Sequence, residues 1–345
     1  MRTKIPIVIF VIISFCLLVY SCTKESSSPV IDNRTNMIID TDVGIDDAMA
    51  ILYLLQHPGL QIDGIVIAGT GMSPLDQATT NALGLIELSN NPDIPVANGD
   101  TIAINSNNTS LRPQEWMEES ASMMGLDLPI NPNPALEECA VDFIINYLGN
   151  LSKPINYVAL GPMTNLGQVL QQEPVLASKI NAVYIMGGAV NVPGNLQYGG
   201  IEDNPYAEWN IFLDPDAADI VFQSGINVVL IPLDATNNAP VTEDFYNRLT
   251  NDHTTPEADF VFEMMSELME VYDTFYFWDP LAAVISTAQN IADIQNYPLK
   301  VITGSGDENG RTKIDQVNGN LIKVCEDTEM NDFEDLFLDV LNGRK

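Results

Sequence analysis

The sequence predicts a single α/β domain, built on a mostly parallel central sheet with helices on both faces. Short, almost wholly apolar runs alternate along the chain with segments whose apolar residues recur at helical spacing. This alternation is typical of parallel strands that are buried on both faces by crossover helices. Residues 37–345 contain no stretch with the composition of a linker, and roughly 310 residues fit one large domain.

The elements follow one another in a regular order. Apolar runs predict strands at residues 36–40, 61–68, 156–160, 182–186, 227–232, 299–303 and 321–325, and helical periodicity predicts helices at 46–56, 75–88, 215–223 and 332–341. Residues 111–134, here called the lid segment, have weak periodicity and predict a long loop with one helical stretch, a kind of loop that is often functional. Because parallel sheets bind ligands at the carboxyl ends of their strands, polar residues that directly follow the strands are the candidates for a site.

The N-terminus has the features of a lipoprotein signal peptide. Arg2 and Lys4 precede an apolar run at residues 5–20, and a small residue, Ser21, stands directly before Cys22. This resembles a bacterial lipobox, in which cleavage precedes the cysteine and its thiol carries the lipid. We therefore expect a signal peptide at 1–21, a flexible tether at 22–36 and the domain at 37–345. Lipidated Cys22 would hold the protein in a bacterial cell envelope, on the periplasmic or the surface side. An ordinary signal peptide that contains a cysteine is the alternative.

The formal net charge of −33 limits the classes of partner. Nucleic-acid polymers require a basic face, so this charge argues against binding to them. A small neutral substrate or a divalent cation is compatible with it. Cys139 and Cys325, the two cysteines of the domain, lie in no CxxC or zinc-binding spacing. We expect buried free thiols, and a disulfide between them is the alternative.

Four carboxylates lie close together where the first predicted strand passes into the first helix. They are Asp40, Asp42, Asp46 and Asp47, with Gly44 in the turn between them. Two like charges about 4 Å apart repel by about 4 kcal/mol at an effective dielectric of 20. If all four face one small volume, a divalent cation is the simplest remedy, and an all-oxygen ligand set favours calcium over zinc. The alternative, in which Asp46 caps the helix and the others are solvated, accounts for one aspartate better than for four.

The same segment resembles the signature of the inosine–uridine nucleoside hydrolase family, which usually has proline where Val43 stands. The matching motifs are DTDVGIDDAMA at residues 40–50, LGPMTNL at 160–166, IMGGA at 185–189, AEWNI at 207–211 with Asp214-Pro215, and WDP at 278–280. They occur in the family's order over residues 37–345. The resemblance implies a calcium-dependent enzyme that hydrolyses ribonucleosides to ribose and free base, and its members often form dimers or tetramers.

The resemblance also implies a role for each site residue. Calcium would be held by Asp42, Asp47, Asp279 and the backbone carbonyl of Thr164. Asp42 would act as the catalytic base that takes a proton from the attacking water. The ribose hydroxyls would be bound by Asp46, Asn195, Glu208 and Asn210. Met186 would line the pocket under the sugar or simply fill the core.

This chain also departs from the family at several positions. Many members carry a histidine directly before the late aspartate as leaving-group acid, and here Trp278 stands there. This residue is similar to the aromatic residue that stacks on the base in the purine-preferring branch, and the alternative is a tryptophan packed in the core. The two histidines, His57 and His253, lie at a helix end and in a polar loop, and we expect structural or solvated roles for them.

Two further departures concern the ribose and the lid. Met72 occupies the position where the family often places an asparagine or aspartate that binds ribose. The lid segment has Arg112-Pro113-Gln114-Glu115-Trp116 in place of the family's histidine–glycine pattern. Trp116 either sandwiches the base against Trp278 or anchors the lid segment to the body of the domain.

Three other functions compatible with these motifs stay open. A phosphatase of the haloacid-dehalogenase type would use Asp40 and Asp42, but it requires Gly-Thr after the second aspartate, where Val43-Gly44 stands. A non-catalytic lipoprotein could use the calcium site to bind nucleosides, and Met72 with the missing histidine favours it. A hydrolase of a different N-riboside is the third. We expect hydrolysis of ribonucleosides, with purine nucleosides favoured by Trp278.

Overall fold

The computed structural model describes residues 33–345. The predicted signal peptide, Cys22 and most of the predicted tether lie outside the described residues. Within them, the first strand begins at Thr35, two residues before the predicted start of the domain.

The domain alternates strands and helices over most of its length. The strands are β1 (Thr35–Thr41), β2 (Leu60–Ile67), β3 (Val96–Asn98), β4 (Ile155–Ala159), β5 (Ile180–Met186), β6 (Val228–Ile231), β7 (Ala292–Val301), β8 (Thr312–Ile314) and β9 (Asn320–Thr328). The helices are α1 (Ile45–Gln56), α2 (Leu75–Leu88), α3 (Gln114–Ser122), α4 (Ala140–Asn150), α5 (Thr164–Gln172), α6 (Trp209–Leu213), α7 (Pro215–Gln223), α8 (Leu233–Thr236), α9 (Glu243–Thr250), α10 (Pro256–Val271), α11 (Trp278–Thr287) and α12 (Met330–Leu341). Short 3₁₀ helices occur at Asn108–Leu111, Met123–Gly125, Pro174–Lys179, Leu196–Gly199 and Gln289–Ile291.

The strands form one sheet in the order β3-β2-β1-β4-β5-β6-β9-β7-β8. All pairs from β3 to β9 are parallel, whereas β7 is antiparallel to both β9 and β8. The chain first builds outwards from β1 through β2 to β3, and then returns to the other side of β1 with β4. The carboxyl ends of β1 and β4 therefore flank the point where the strand order reverses, which is where open α/β sheets form a ligand crevice.

Alternate residues of each strand enter two different apolar cores. In β1, Met37 and Ile39 pack with α1, α2, α10, α11 and α12 on one face of the sheet. Ile38, between them, packs with α4, α5 and α7 on the other face. The period-two alternation of a strand thus explains the almost continuous apolar runs in the sequence, because both faces are buried. The predicted fold class is confirmed.

The cysteines differ from the prediction in one respect. Both Cys139 and Cys325 are free thiols, and Cys325 is buried, but Cys139 is exposed at the start of α4. The expectation that both thiols are buried is therefore wrong for Cys139. Between residues 33 and 345, no helix combines the length and the apolar composition that crossing a membrane requires.

Candidate active site

The turn between β1 and α1 holds its acidic side chains by its own hydrogen bonds. Gly44 caps α1, and its N–H donates to Asp47 Oδ2 over 2.9 Å. The Thr41 hydroxyl donates to Asp47 Oδ1 and accepts from the N–H of Val43 at 3.0 Å. A side chain at Gly44 would lie within 2.9 Å of Asp47 Oδ2, so any other residue there would displace this carboxylate from its hydrogen bonds. Val43 adopts φ +53°, which proline cannot adopt, so this turn departs in backbone as well as in sequence from the motif with proline.

Asp40 does not join the other carboxylates. Its Oδ2 accepts the Tyr157 hydroxyl at 2.6 Å and its Oδ1 accepts the Asn165 amide at 2.9 Å. Burial raises the pKa of Asp40 to about 7, although both hydrogen bonds oppose the shift. Because alternate residues of β1 point to opposite faces, Asp40 faces the core of α4, α5 and α7. The expectation that four carboxylates share one volume is therefore wrong for this residue.

Asp46, Asp47 and Asp279 form the acidic centre of the site. Each offers one carboxylate oxygen, and these oxygens all lie within 4.8 Å of one another. Asp279 belongs to the first turn of α11, and its backbone N–H approaches Asp46 Oδ2 at 3.5 Å. The Asp279 Oδ1 atom is buried and has no hydrogen-bond partner. A buried carboxylate oxygen without a partner, on a residue that is grouped with two more carboxylates, fits a hard cation such as calcium.

The carboxyl groups of this site repel one another. Burial, together with the charge of Asp47, raises the pKa of Asp42 and of Asp279 well above the ordinary value. The same two causes raise the pKa of Asp46 to about 7. A bound divalent cation would reverse these shifts, because it stabilises the ionised carboxylates.

Asp42 lies beside this centre and is held by two glycine-rich loops. Its Oδ2 accepts the backbone N–H of Met72. A side chain on Gly71 would overlap Asp42, and one on Gly161 would lie within 2.9 Å of its Oδ1. The structure thus brings together Asp47 and Asp279, two of the predicted calcium ligands, with Asp46, which was predicted to bind ribose. Asp42 adjoins them as a fourth charge.

Thr164, the remaining predicted calcium ligand, is positioned by Asp214 and Thr70 through contacts that the sequence did not predict. It begins α5, and its hydroxyl donates to Asp214 Oδ2 at 2.8 Å and lies 2.7 Å from the Thr70 hydroxyl. Asp214 also caps α7 by accepting the N–H of Ala217. The Asp-Pro signal revealed the cap, but the second role of Asp214 depends on how α5 and α7 pack, which has no local sequence signal.

Glu208 and Asn210 lie at the corner where the ends of β4 and β5 meet α6. Glu208 Oε1 accepts from the N–H of Asn210 at 2.8 Å, and Oε2 accepts from Gly188 at 2.9 Å and Ile211 at 3.1 Å. Glu208 thereby caps α6, and the positive φ of Gly188 lets that N–H reach it. The Asn210 amide donates to Leu160 O at 2.7 Å. Both side chains therefore tie the ends of β4, β5 and α6 together.

Asn195 and Met186 flank this corner. Asn195 is half-buried, and its Oδ1 accepts the N–H of Trp209 at 3.1 Å. Met186 is buried in the core of α1 and α11, and its sulfur lies 3.5 Å from the Asn210 amide. Met186 thus fills the core directly behind a predicted ribose-binding amide.

The aromatic residues divide into two groups. Trp278 is half-buried at the start of α11, with Phe275 edge-on at 5.0 Å and Tyr276 at 5.5 Å between ring centroids. Trp116, in contrast, meets Trp209 edge-on at 5.7 Å, in a small apolar cluster that also takes the side chain of Met72. Trp116 therefore anchors the lid segment to α6.

Neither histidine belongs to this site. His57 ends α1, and its Nδ1 accepts the N–H of Gly59. His253 pairs with Asp259 at 2.7 Å and stacks on Phe262. Both contacts are structural, as the sequence analysis predicted.

Comparison with known proteins relates this geometry to one family. A model of the inosine-uridine preferring nucleoside hydrolases matches residues 37–335. The chain is 33% identical over 219 residues to a probable uridine nucleosidase of Oryza sativa subsp. japonica, covering 64% of this chain and 64% of the relative. It is 38% identical over 208 residues to a pyrimidine-specific ribonucleoside hydrolase (RihA) of Klebsiella pneumoniae, covering 59% of this chain and 62% of that one.

A solved structure extends the likeness to nearly the whole chain. The purine-preferring ribonucleoside hydrolase from Gardnerella vaginalis superposes with a TM-score of 0.74 at 26% identity, covering 90% of this chain and 98% of that chain. In sequence, by contrast, this chain spans less than two thirds of the length of the two curated relatives just described.

Proposed function

Because this chain belongs to the inosine-uridine preferring nucleoside hydrolase family, we propose that it hydrolyses the N-glycosidic bond of ribonucleosides. The products are ribose and the free base, and the reaction depends on calcium. The observation that carries the proposal is the cluster of Asp46, Asp47 and Asp279, with Asp42 beside it, at the carboxyl ends of β1 and β4.

The acidic centre is the calcium site of this proposal. Asp47 and Asp279 hold the cation, with Asp46 and Asp42 next to it and the Thr164 carbonyl as a further oxygen ligand. When bound, the cation supplies Lewis-acid activation of the attacking water and neutralises the surrounding charge. The unpartnered Oδ1 of Asp279 supports this assignment, since a buried carboxylate oxygen is costly without a partner.

Asp42 then acts as the general base. A bond forms between the water oxygen and the anomeric carbon while the bond from that carbon to the base nitrogen breaks. The water proton passes to the Asp42 carboxylate, and the departing base takes a proton from solvent. The transition state has oxocarbenium character, and nearby carboxylates stabilise its positive charge. Asp46, Asn195, Glu208 and Asn210 bind the ribose hydroxyls.

Trp278 is the proposed platform for the base. Its half-buried ring is braced by Phe275 and Tyr276, which keeps it in place without covering it fully. An indole stacks well on a large purine, so we propose that purine nucleosides are favoured. The relatives in this family differ in base preference, and the aromatic group around Trp278 is the feature of this chain that supports the purine choice.

A ribose-release assay on inosine, adenosine, guanosine, uridine and cytidine tests the reaction and the preference together. We expect release from all purine nucleosides, with a lower kcat/KM for the pyrimidines. Trp278→Ala should lower kcat/KM for purines by about 10-fold, since stacking contributes about 1–3 kcal/mol per base, and Trp278→Phe should recover most of it. Binding without release would support the non-catalytic alternative, and equal losses for purines and pyrimidines in Trp278→Ala would contradict the stacking role.

We further propose that lipidation at Cys22 attaches the protein to the bacterial cell envelope. The lipobox-like Ser21-Cys22 after an apolar run supports this proposal. Cys22→Ala should move the protein from the membrane fraction to the soluble fraction and abolish labelling by a fatty-acid probe. Cys139→Ala, which changes an exposed thiol of the domain, is the matched control. A Cys22→Ala protein that stays membrane-bound and labelled would exclude the anchor.

A further inference from the structure

Arg112, at the start of the lid segment, docks on the loop that holds Asp42. Its guanidinium is half-buried, and Nε donates to Thr109 O at 2.8 Å while Nη1 donates to Gly71 O. Burial lowers the pKa of Arg112, and the negative charge of Asp42 opposes that shift. An arginine aimed at a backbone carbonyl inside an acidic site has no role in the mechanism derived above.

One peptide group links this guanidinium to the catalytic carboxylate. The carbonyl that Arg112 contacts and the N–H that donates to Asp42 Oδ2 belong to the same Gly71–Met72 peptide unit. A trans peptide directs its C=O and N–H to opposite sides, so the group contacts the arginine on one side and the aspartate on the other. Hydrogen bonds in such a chain polarise one another, and a charged donor at its end strengthens the bond at the far end.

We propose that Arg112 is a positioning residue, which orients the Asp42 carboxylate through the Gly71–Met72 peptide. The inference rests on the proposed function, because Asp42 is the general base only there. The loop that contains Gly71 packs closely against Asp42. Any side chain at Gly71 would overlap the Asp42 side chain. The Trp116–Trp209 contact anchors the same lid segment. Docking of the lid segment and alignment of the Asp42 carboxylate therefore occur together.

The alternative is that Arg112 binds the substrate directly. Two of its three nitrogens already donate to main-chain carbonyls, and this geometry favours positioning. The two roles have different kinetic consequences. Loss of a substrate contact raises KM, whereas misalignment of a base lowers kcat with little change in KM.

The kinetic test compares Arg112→Met and Arg112→Lys with the wild type at saturating calcium. We expect kcat to fall roughly 10–100-fold in Arg112→Met, as is usual when a residue that orients a reactive group is removed, with KM nearly unchanged. Arg112→Lys should lose less, and added guanidinium ion should restore part of the Arg112→Met rate. The control is Arg248→Met, which removes a partly buried arginine that is paired with Glu334 and Asp335 elsewhere in the domain. Its kcat and KM should stay at the wild-type values, with and without added guanidinium ion. A raised KM at constant kcat, or no effect, would overturn the proposal.

Amide hydrogen exchange provides a readout that does not depend on turnover. In Arg112→Met the Met72 N–H should exchange faster than in the wild type, while amides in the core strand β1 keep their protection. This result would support the positioning role even if the wild type released ribose from none of the nucleosides tested, in which case the proposed function alone would fail. Unchanged exchange at Met72 in both Arg112→Met and Arg112→Lys would overturn the inference whatever the catalytic result.

Discussion

Asp42→Asn should lower ribose release by orders of magnitude while the domain stays folded. Asparagine has nearly the same shape, and its carbonyl oxygen can still accept the Met72 N–H that Asp42 Oδ2 accepts. The amide cannot take a proton from water, and loss of a general base lowers kcat by about 10²–10⁴-fold. The measurement is kcat at saturating calcium, with circular dichroism to verify folding.

Two features make this substitution informative about chemistry rather than stability. Removing one charge from a site whose carboxyl groups repel one another should leave the metal-free protein at least as stable as the wild type. The matched control is Asp76→Asn, the same change at an exposed position in the first turn of α2, which should keep full activity. If Asp42→Asn retains wild-type turnover, Asp42 is not the base.

Calcium should stabilise the protein much more at pH 8 than at pH 5. The pKa of Asp46 in the metal-free fold is about 7, against an ordinary value of 3.8, and those of Asp42 and Asp279 are raised in the same direction. Between about pH 4 and 7 the folded chain therefore retains protons that the unfolded chain releases, so metal-free stability falls as pH rises through this window. Calcium replaces those protons, and at about 100 times its Kd it would add about 2.7 kcal/mol.

The measurement is the thermal unfolding midpoint with calcium and with a chelator across this pH range. Asp40, whose pKa is also about 7, contributes the same pH dependence to both curves, because it lies on the other face of the sheet. The difference between the curves therefore isolates the acidic centre. It should vanish in Asp279→Asn, and magnesium should substitute poorly. A calcium effect of equal size at pH 5 and pH 8 would contradict this account.

Local sequence patterns predicted the elements that have a clear apolar run or a clear helical spacing of apolar residues. The bounds of α2 and α7 agree with the prediction at both ends, and the seven apolar runs all correspond to strands. β7 begins at Ala292, before the apolar run that predicted it. The first half of this strand is largely exposed and mostly polar, so it has no apolar signal in the sequence. The helix α10 was missed although Thr255 caps it and Pro256 begins it.

The site was predicted less completely than the fold. Asp47 and Asp279 were assigned by resemblance, and the fold brings them together. The direction of Asp40 follows from the alternation of side chains along β1 and is predictable from the sequence alone. The contacts of Arg112 and of Thr70, in contrast, depend on how three loops pack against one another. No periodicity or spacing within one segment carries that information.

The acidic centre joins residues that are far apart in the chain, since Asp46 and Asp47 lie in the first turn of α1 and Asp279 lies in the first turn of α11. These groups meet only when nearly all of the chain has adopted its final topology, and a sheet of non-local parallel pairings is slow to form. On the proposed function, we therefore expect calcium to bind late in folding. A polypeptide without α11 would keep the carboxylates of the turn between β1 and α1 but would lack the Asp279 oxygen that completes the acidic centre.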